Sequence, residues 1–446
     1  MKTRITSKLM IGAAALLITV VASCKKDKNV TPESLPVISL NDAKNGKDTL
    51  TIGQSITFHP TLANKSGATY LWTVGGTAVG TDSTFTYTPT TRGDYTVYLT
   101  VKNAGGPSAV SYQVHVWGKY ENGFFIANEG WFGHGTGSLS FYRYDTGTKE
   151  DSLTTKENPG KNLNPATSTV EYATIFNGNL YLLTKVGGPL VVMDQYSLKE
   201  ITRIPATGGN DWRAFLGIDN THALVSSQTG IYPIDPTTLT LGTKLTSVTG
   251  QIADMIKAGN YIFVINASKG LQILNASDYS LNTTIAGMTV GFAQTPDGSV
   301  WVAGGTSLLK INPATLAVTT IPVPFTVFSQ FAAWHAGSIT ASTKENAVFI
   351  AANGSFTGAK TIYKYIDGNA SSIATPFISI ATGKETYGTG VAYNPITNQL
   401  VVNTVMSGFG ANYSTNDQDF YNATTGALIK DLPFTGYFFP AGYVFH

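Results

Sequence analysis

The side chains able to do chemistry sit in a few irregular loops rather than in a catalytic signature. Glu129-Gly130-Trp131-Phe132-Gly133-His134-Gly135-Thr136-Gly137 mixes aromatics, a carboxylate and a histidine among glycines. Asn353 to Gly358 carries Phe356, and Met406 to Asn416 carries Phe409, Asn412 and, nearby, Tyr413. Gly208-Gly209-Asn210-Asp211-Trp212-Arg213 and Lys384-Glu385-Thr386-Tyr387 are of the same kind. Glycine-rich loops cost entropy to order, and exposed rings cost solvation, so such loops on a rigid scaffold commonly bind something. The chemistry offered is stacking and neutral hydrogen bonding. Trp131, Phe132, Trp212, Phe409 and Tyr413 would supply faces, and Asn128, Arg213 and Asn412 polar partners. Glu129, His134, Phe356 and Tyr387 stand in the same loops.

Catalytic and metal-binding patterns are missing. Six histidines are scattered with no pair at ligand spacing, and a single cysteine leaves no thiolate site. Asn41-Asp42-Ala43-Lys44-Asn45-Gly46 faintly resembles a calcium loop but puts Lys44 at a ligand position. Neither a nucleophile elbow nor a phosphate-binding loop occurs. Glu129 and Glu171 could pair as acid and base, although nothing in their spacing requires it. The expectation is a binder rather than an enzyme, with no cofactor and no metal.

The loops need elements to hold them, and these repeat. From Tyr120 to His446 one unit recurs about seven times: strand, tight turn, strand, then a D/N-x-x-(S/T)-L turn. NGNLYLLTKVGGPLVVMDQYSLKEITRI and AGNYIFVINASKGLQILNASDYSLNTTI are clear copies. A period of roughly 40–50 residues with four strands per unit is the signature of a β-propeller. Inner strands are expected near Thr169, Trp212, Ile252, Val290, Phe331 and Gly388. The first blade, opening at Phe124, has no inner strand of its own; Tyr437 to Phe445 is expected to supply it and close a ring of seven. Short turns such as Asn177-Gly178-Asn179 and Pro296-Asp297-Gly298 then lie on one face. The enlarged loops of blades one, six and seven cluster on the other, and function is expected there.

Hydrophobic residues make 42% of the 446, ample for a core, while charged residues make 13%, against a usual level of roughly 25%. No basic stripe points to nucleic acid. Lys2, Arg4 and Lys8 precede the apolar run Leu9 to Val21 and then Val21-Ala22-Ser23-Cys24. That run is short for a membrane span. The pattern resembles a bacterial lipobox, which implies cleavage after residue 23 and lipidation of Cys24. Removing residues 1–23 takes away three cations and no acid, so a balance of +2 becomes nearly neutral. The lipid would be the only membrane contact. Residues 24–36 read as a polar tether.

Between Val37 and Trp117 about seven short strands are expected. In Gly93 to Val101, Tyr95, Val97, Leu99 and Val101 alternate onto one face, and Trp72 would sit at the centre of the core. Trp72 and YTVYLTVKN resemble a PKD/immunoglobulin-like domain. The whole is therefore all-β, with a signal peptide (1–23), a tether (24–36), a small β-sandwich (37–117) and a seven-bladed propeller (120–446) closed by its C-terminal strand.

Phe125-Ile126-Ala127-Asn128-Glu129-Gly130-Trp131-Phe132, followed by Gly137-Ser138-Leu139-Ser140-Phe141-Tyr142, resembles the opening motif of the DUF5074 propellers, surface lipoproteins of Gram-negative bacteria. The resemblance covers most of Gly123 to His446. BtuG-type members capture cobalamin at the cell surface and pass it to an outer-membrane transporter. The resemblance thus implies an outer-membrane lipoprotein at the cell surface that captures a corrinoid-like small molecule for a transporter partner; the protein is expected to be a monomer. The alternative is that the same face docks a surface protein or a glycan in adhesion.

Overall fold

The computed structural model describes residues 32–40, 46–206, 211–327, 338–353, 358–408 and 410–446. Cys24, Phe356 and Phe409 lie outside the described residues, as does the inner-strand start expected at Phe331. Among the described residues no helix is long and apolar enough to cross a membrane. The chain divides into two compact units.

The first unit is a small β-sandwich of nine strands, two more than expected. A five-stranded sheet runs in the order Lys47–Thr51, Gly106–Trp117, Gly93–Asn103, Thr69–Val74, Thr77–Gly80. Two-stranded sheets pair Val37–Ser39 with Thr61–Ala63, and Ile56–Phe58 with Phe85–Tyr87. Val97, Leu99 and Val101 alternate into the interior, as a two-residue period requires. Trp72 is fully buried against Phe58, Phe85 and Tyr112, with ring centroids 5.5–6.0 Å away. Its indole N–H donates to the Asp82 carbonyl at 2.8 Å, so burying it leaves no donor orphaned.

The second unit is a propeller of seven four-stranded antiparallel sheets. Inner strands of blades two to seven are Val170–Phe176, Trp212–Asp219, Ile252–Ala258, Val290–Gln294, Ile339–Ala341 and Lys384–Asn394. The last begins four residues before Gly388: Lys384 to Thr386 already pair with Thr404 to Met406, and the register then slips between Thr386 and Val391. Alternation along each strand explains the stacking. In blade two, Leu180 and Leu182 pack toward blade one, while Tyr181 and Leu183 pack toward blade three. Apolar clusters built this way fill every seam between blades. At roughly 1.5–3 kcal/mol for each large buried side chain, these seams dominate the stability of the ring.

The D/N-x-x-(S/T)-L turn works through its first and last residues. The Asp194 carboxylate accepts from the Tyr196 and Ser197 amides, and Leu198 turns back at φ 56° to donate to the Asp194 carbonyl at 2.8 Å. Asp235–Leu239 and Asn312–Leu316 repeat this geometry. These Asp and Asn side chains are occupied by turn formation.

Blade one borrows its inner strand, as expected. Pro440–Phe445 pairs with Gly123–Asn128, with Phe445 opposite Phe124 and Tyr443 opposite Ile126. The borrowed strand is shorter than the Tyr437 start implied. Pro440 has no N–H to donate, and Phe439 adopts φ 52°, so Tyr437, Phe438 and Phe439 form a connection rather than a strand.

Candidate functional site

Glu129 follows the second strand of blade one directly, at the start of the enlarged loop. Its amide donates to the Phe439 carbonyl at 2.8 Å, and the Gly130 amide to the Phe438 carbonyl at 2.9 Å. Its own carbonyl accepts from the Val170 amide of blade two at 3.1 Å. The loop is therefore clamped on both sides where it leaves the sheet. Gly137 closes it from the far end: a Cβ there would meet the Asn128 and Glu129 carbonyl oxygens at 2.4 and 2.5 Å, so only glycine fits.

The Glu129 side chain points inward and is 2% exposed. One oxygen accepts a hydrogen bond from the Tyr387 hydroxyl of blade seven. The other pairs with Lys185 Nζ of blade two at 2.9 Å. Lys185 also faces Glu171 at 3.2 Å, Glu171 faces Arg213 of blade three at 3.5 Å, and Arg213 faces Asp211 at 3.3 Å. Asp211 ends the chain by accepting the Val186 amide at 2.7 Å. A single buried ionic row thus links blades seven, one, two and three under the irregular face. Three carboxylates meet two cations, and burial disfavours the surplus charge. Desolvation accordingly pushes the Glu129 carboxyl up to about 7, against the lowering pull of Lys185 and Tyr387. The same desolvation, with the Glu129 charge beside it, raises the Tyr387 phenol well above its ordinary range.

Above this row lies an aromatic ledge. Trp131 is 37% exposed and is stacked at 3.9 Å on His134 and at 4.3 Å on Tyr437, itself 37% exposed. Tyr437 continues to Phe439 at 6.3 Å. Phe439 packs edge-on against Tyr387 and Tyr413 at 5.3 and 5.8 Å, anchoring the ledge in a small buried cluster. Phe132, 51% exposed, extends the apolar surface. Phe438 turns the other way, where Lys149 lies over it and over Phe434 at 4.6 and 3.8 Å.

The expected site residues therefore fall into two groups. Trp131, Phe132 and His134 stand together at the surface. Asn128, Glu129, Trp212, Arg213, Tyr387 and Tyr413 are buried beneath the face and offer no ring or polar tip to solvent. Trp212, expected to stack, is instead fully buried in the seam between blades two and three, 5.9 Å from Tyr232. Apolar packing claimed its indole because the strand begins at that residue and its side chain falls inside the seam. Arg213 is consumed by its carboxylates. Asn128 donates to the Ser140 hydroxyl at 2.8 Å, and Tyr413 donates to Glu385 at 3.1 Å. Half-buried Asn412 donates to the Ser407 carbonyl at 2.8 Å, bracing its own loop.

The reading of the loops did not single out Lys185, Tyr437 or Phe439. A signal for Lys185 exists in the repeat. Glu129 and Lys185 occupy the same place, one residue after the second strand, where blades three, four and five carry Gln228, Ala267 and Gly305. Tyr437 and Phe439 were hidden inside an apolar run that reads as continuous strand. Among the described residues no group of three or more acidic, histidine or cysteine side chains could hold a metal ion.

Comparison with known proteins agrees with this architecture. A PKD-like domain matches residues 35–103, within the sandwich. Among solved structures, a quinonprotein alcohol dehydrogenase-like protein from Bacteroides thetaiotaomicron superposes at a TM-score of 0.59 with 18% identity, covering 92% of this chain and 99% of that one. The dihydro-heme d1 dehydrogenase NirN matches at a TM-score of 0.46 and 11% identity over 78% and 72% of the two chains. BamB from Moraxella catarrhalis matches at 0.38 and 13%, over 58% and 74%. At 18% identity the likeness to the first of these is one of fold. No curated protein matches the chain. The model of a domain of unknown function, DUF5074, matches residues 122–446, the whole propeller, and the chain therefore belongs to the DUF5074 family.

Proposed function

We propose that this protein is a binding module of the cell envelope, held by a lipid on Cys24, whose irregular propeller face captures a ligand with a broad flat surface. The observation that carries the reading is the Trp131–His134–Tyr437 group, three rings in mutual contact that together leave a continuous aromatic patch open to solvent. Large exposed rings on a backbone clamped by hydrogen bonds and a buried ionic row form a pre-ordered platform, so little entropy is lost on binding. The low charge of the chain suits a largely neutral ligand. A corrinoid, an apolar macrocycle rimmed with amides, combines the two requirements, and the family resemblance favours it. Delivery to an outer-membrane transporter would follow from the same resemblance.

The burial of Glu129 and Glu171 on one lysine supports a structural rather than an acid–base role for that pair. Calorimetry of the mature protein with cyanocobalamin and cobinamide tests the proposal. Heat that saturates, and that falls at least tenfold in affinity in Trp131→Ala, is expected. Absence of heat at high micromolar ligand removes the corrinoid, and glycan binding lost in the same variant would then favour the adhesion reading.

A further inference from the structure

The aromatic ledge is not free-standing: its loop leaves the sheet at Glu129, whose carboxylate lies between two neighbouring blades. Gly130 and Trp131 follow that residue directly. The main chain of Glu129 and Gly130 is hydrogen-bonded to Phe439 and Phe438, next to Tyr437, the second ring of the ledge. Its side chain touches Tyr387, which packs on Phe439 from below. Both halves of the ledge, from blade one and from the connection into the closing strand, thus meet at one residue, through its main chain and, by way of Tyr387, its carboxylate.

We propose that Glu129 is the positioning residue of the ledge, so that adding a proton to this buried group breaks its pairing with Lys185 and resets the Trp131–Tyr437 stack. The consequence for ligand capture rests on the ledge being the binding face. The groups that face Glu129 set the response. Lys185 and Tyr387 hold the carboxylate form in place, while Glu171 opposes it from blade two. Arg213 and Asp211 act through Glu171. With Glu129 protonated the row contains two carboxylates and two cations, so the proton-bound state is internally balanced and Lys185 turns wholly to Glu171. The ionised state keeps the bridge between blades one and two. Protonation near neutrality follows from the desolvated position of the carboxyl, and the loop responds because Glu129 is its first residue.

The test needs no ligand. Mature protein labelled with 5-fluorotryptophan is titrated from about pH 5.5 to about 8.5, a range centred on the carboxyl's shifted position, and the Trp131 fluorine resonance is identified by its loss in Trp131→Phe. A His134→Gln background takes the stacked imidazole ring away from the reporter. The expected result is a Trp131 shift with a midpoint near 7, absent in Glu129→Gln. In Tyr387→Phe the midpoint moves to higher pH, since a hydrogen bond favouring the carboxylate is gone. A flat Trp131 resonance in the His134→Gln protein, or an unchanged midpoint in Glu129→Gln, overturns the proposal. Should Glu129→Gln not fold, the His134→Gln profile and Tyr387→Phe still decide it. Because the signal is ligand-free, failure of corrinoid binding and failure of the coupling are separate results.

Discussion

The Tyr387 hydroxyl hydrogen-bonds the Glu129 carboxylate across the closing seam, joining residues 258 apart in the chain. Tyr387 sits on the inner strand of blade seven, and Glu129 at the mouth of the blade-one loop. The contact therefore ties ring closure to the geometry of the face where the ledge stands.

Removing that hydroxyl should be felt in stability. Tyr387→Phe strips a donor from a buried carboxylate without opening a large cavity. A loss of about 1–3 kcal/mol is expected, measured by urea unfolding with an unchanged denaturant slope. No loss would mean that the contact is incidental.

The pH dependence of stability has a definite sign. The Glu129 carboxyl is pushed up to about 7 from an ordinary 4.5, so the folded state holds this proton more tightly than the unfolded one. Its contribution is fully present below the ordinary value and is lost as pH rises through 7, by on the order of 3 kcal/mol. Asp419, also raised to about 7 by burial and by Asp431 and Asp417, acts in the same direction. Unfolding midpoints at about pH 5 and about pH 8 should fall for the wild type and fall less for Glu129→Gln. An identical slope in both proteins would contradict the burial argument.

Surface and seam tryptophans should separate cleanly. Trp131→Ala and Tyr437→Ala remove exposed rings and should change stability by no more than about 0.5 kcal/mol while abolishing tight binding. Trp212→Ala empties a seam and should cost about 3–5 kcal/mol. Paired denaturation and calorimetry on the three variants distinguish a binding role from a packing one.

Deleting residues 440–446 should be far worse than any point change. Gly123–Asn128 would lose its inner partner from Phe124 to Asn128 and become an exposed, apolar sheet edge, paired only with Ser138–Arg143. Size-exclusion chromatography should show aggregates in place of the species formed by the intact chain.

The fold was legible because it repeats. Alternation in strands such as Leu180–Leu183 places every second side chain in a different seam, and the Asx-type turns punctuate each blade identically. The platform was legible in part: Trp131, Phe132 and His134 stand out as aromatics among glycines. What the loops conceal is depth. Trp212 and Trp131 look alike in a glycine-rich segment, yet the first begins a strand and is drawn into a seam. Glu129 and Lys185 look like loop charges but are buried together, because blades one and two pack side by side and bring the ends of their second strands into contact. Pairings of that kind depend on contacts between distant segments, which local periodicity does not encode.

The borrowed inner strand also sets the order in which the molecule becomes itself. Blades two to seven can each complete their own sheets as their residues emerge, but Gly123–Asn128, among the first propeller segments made, must wait for Pro440–Phe445. The Trp131–Tyr437 stack waits with it, since one ring belongs to each side of that late pairing. A chain interrupted before Pro440–Phe445 can own most of its blades and still lack the pairing that brings the two halves of the ledge together.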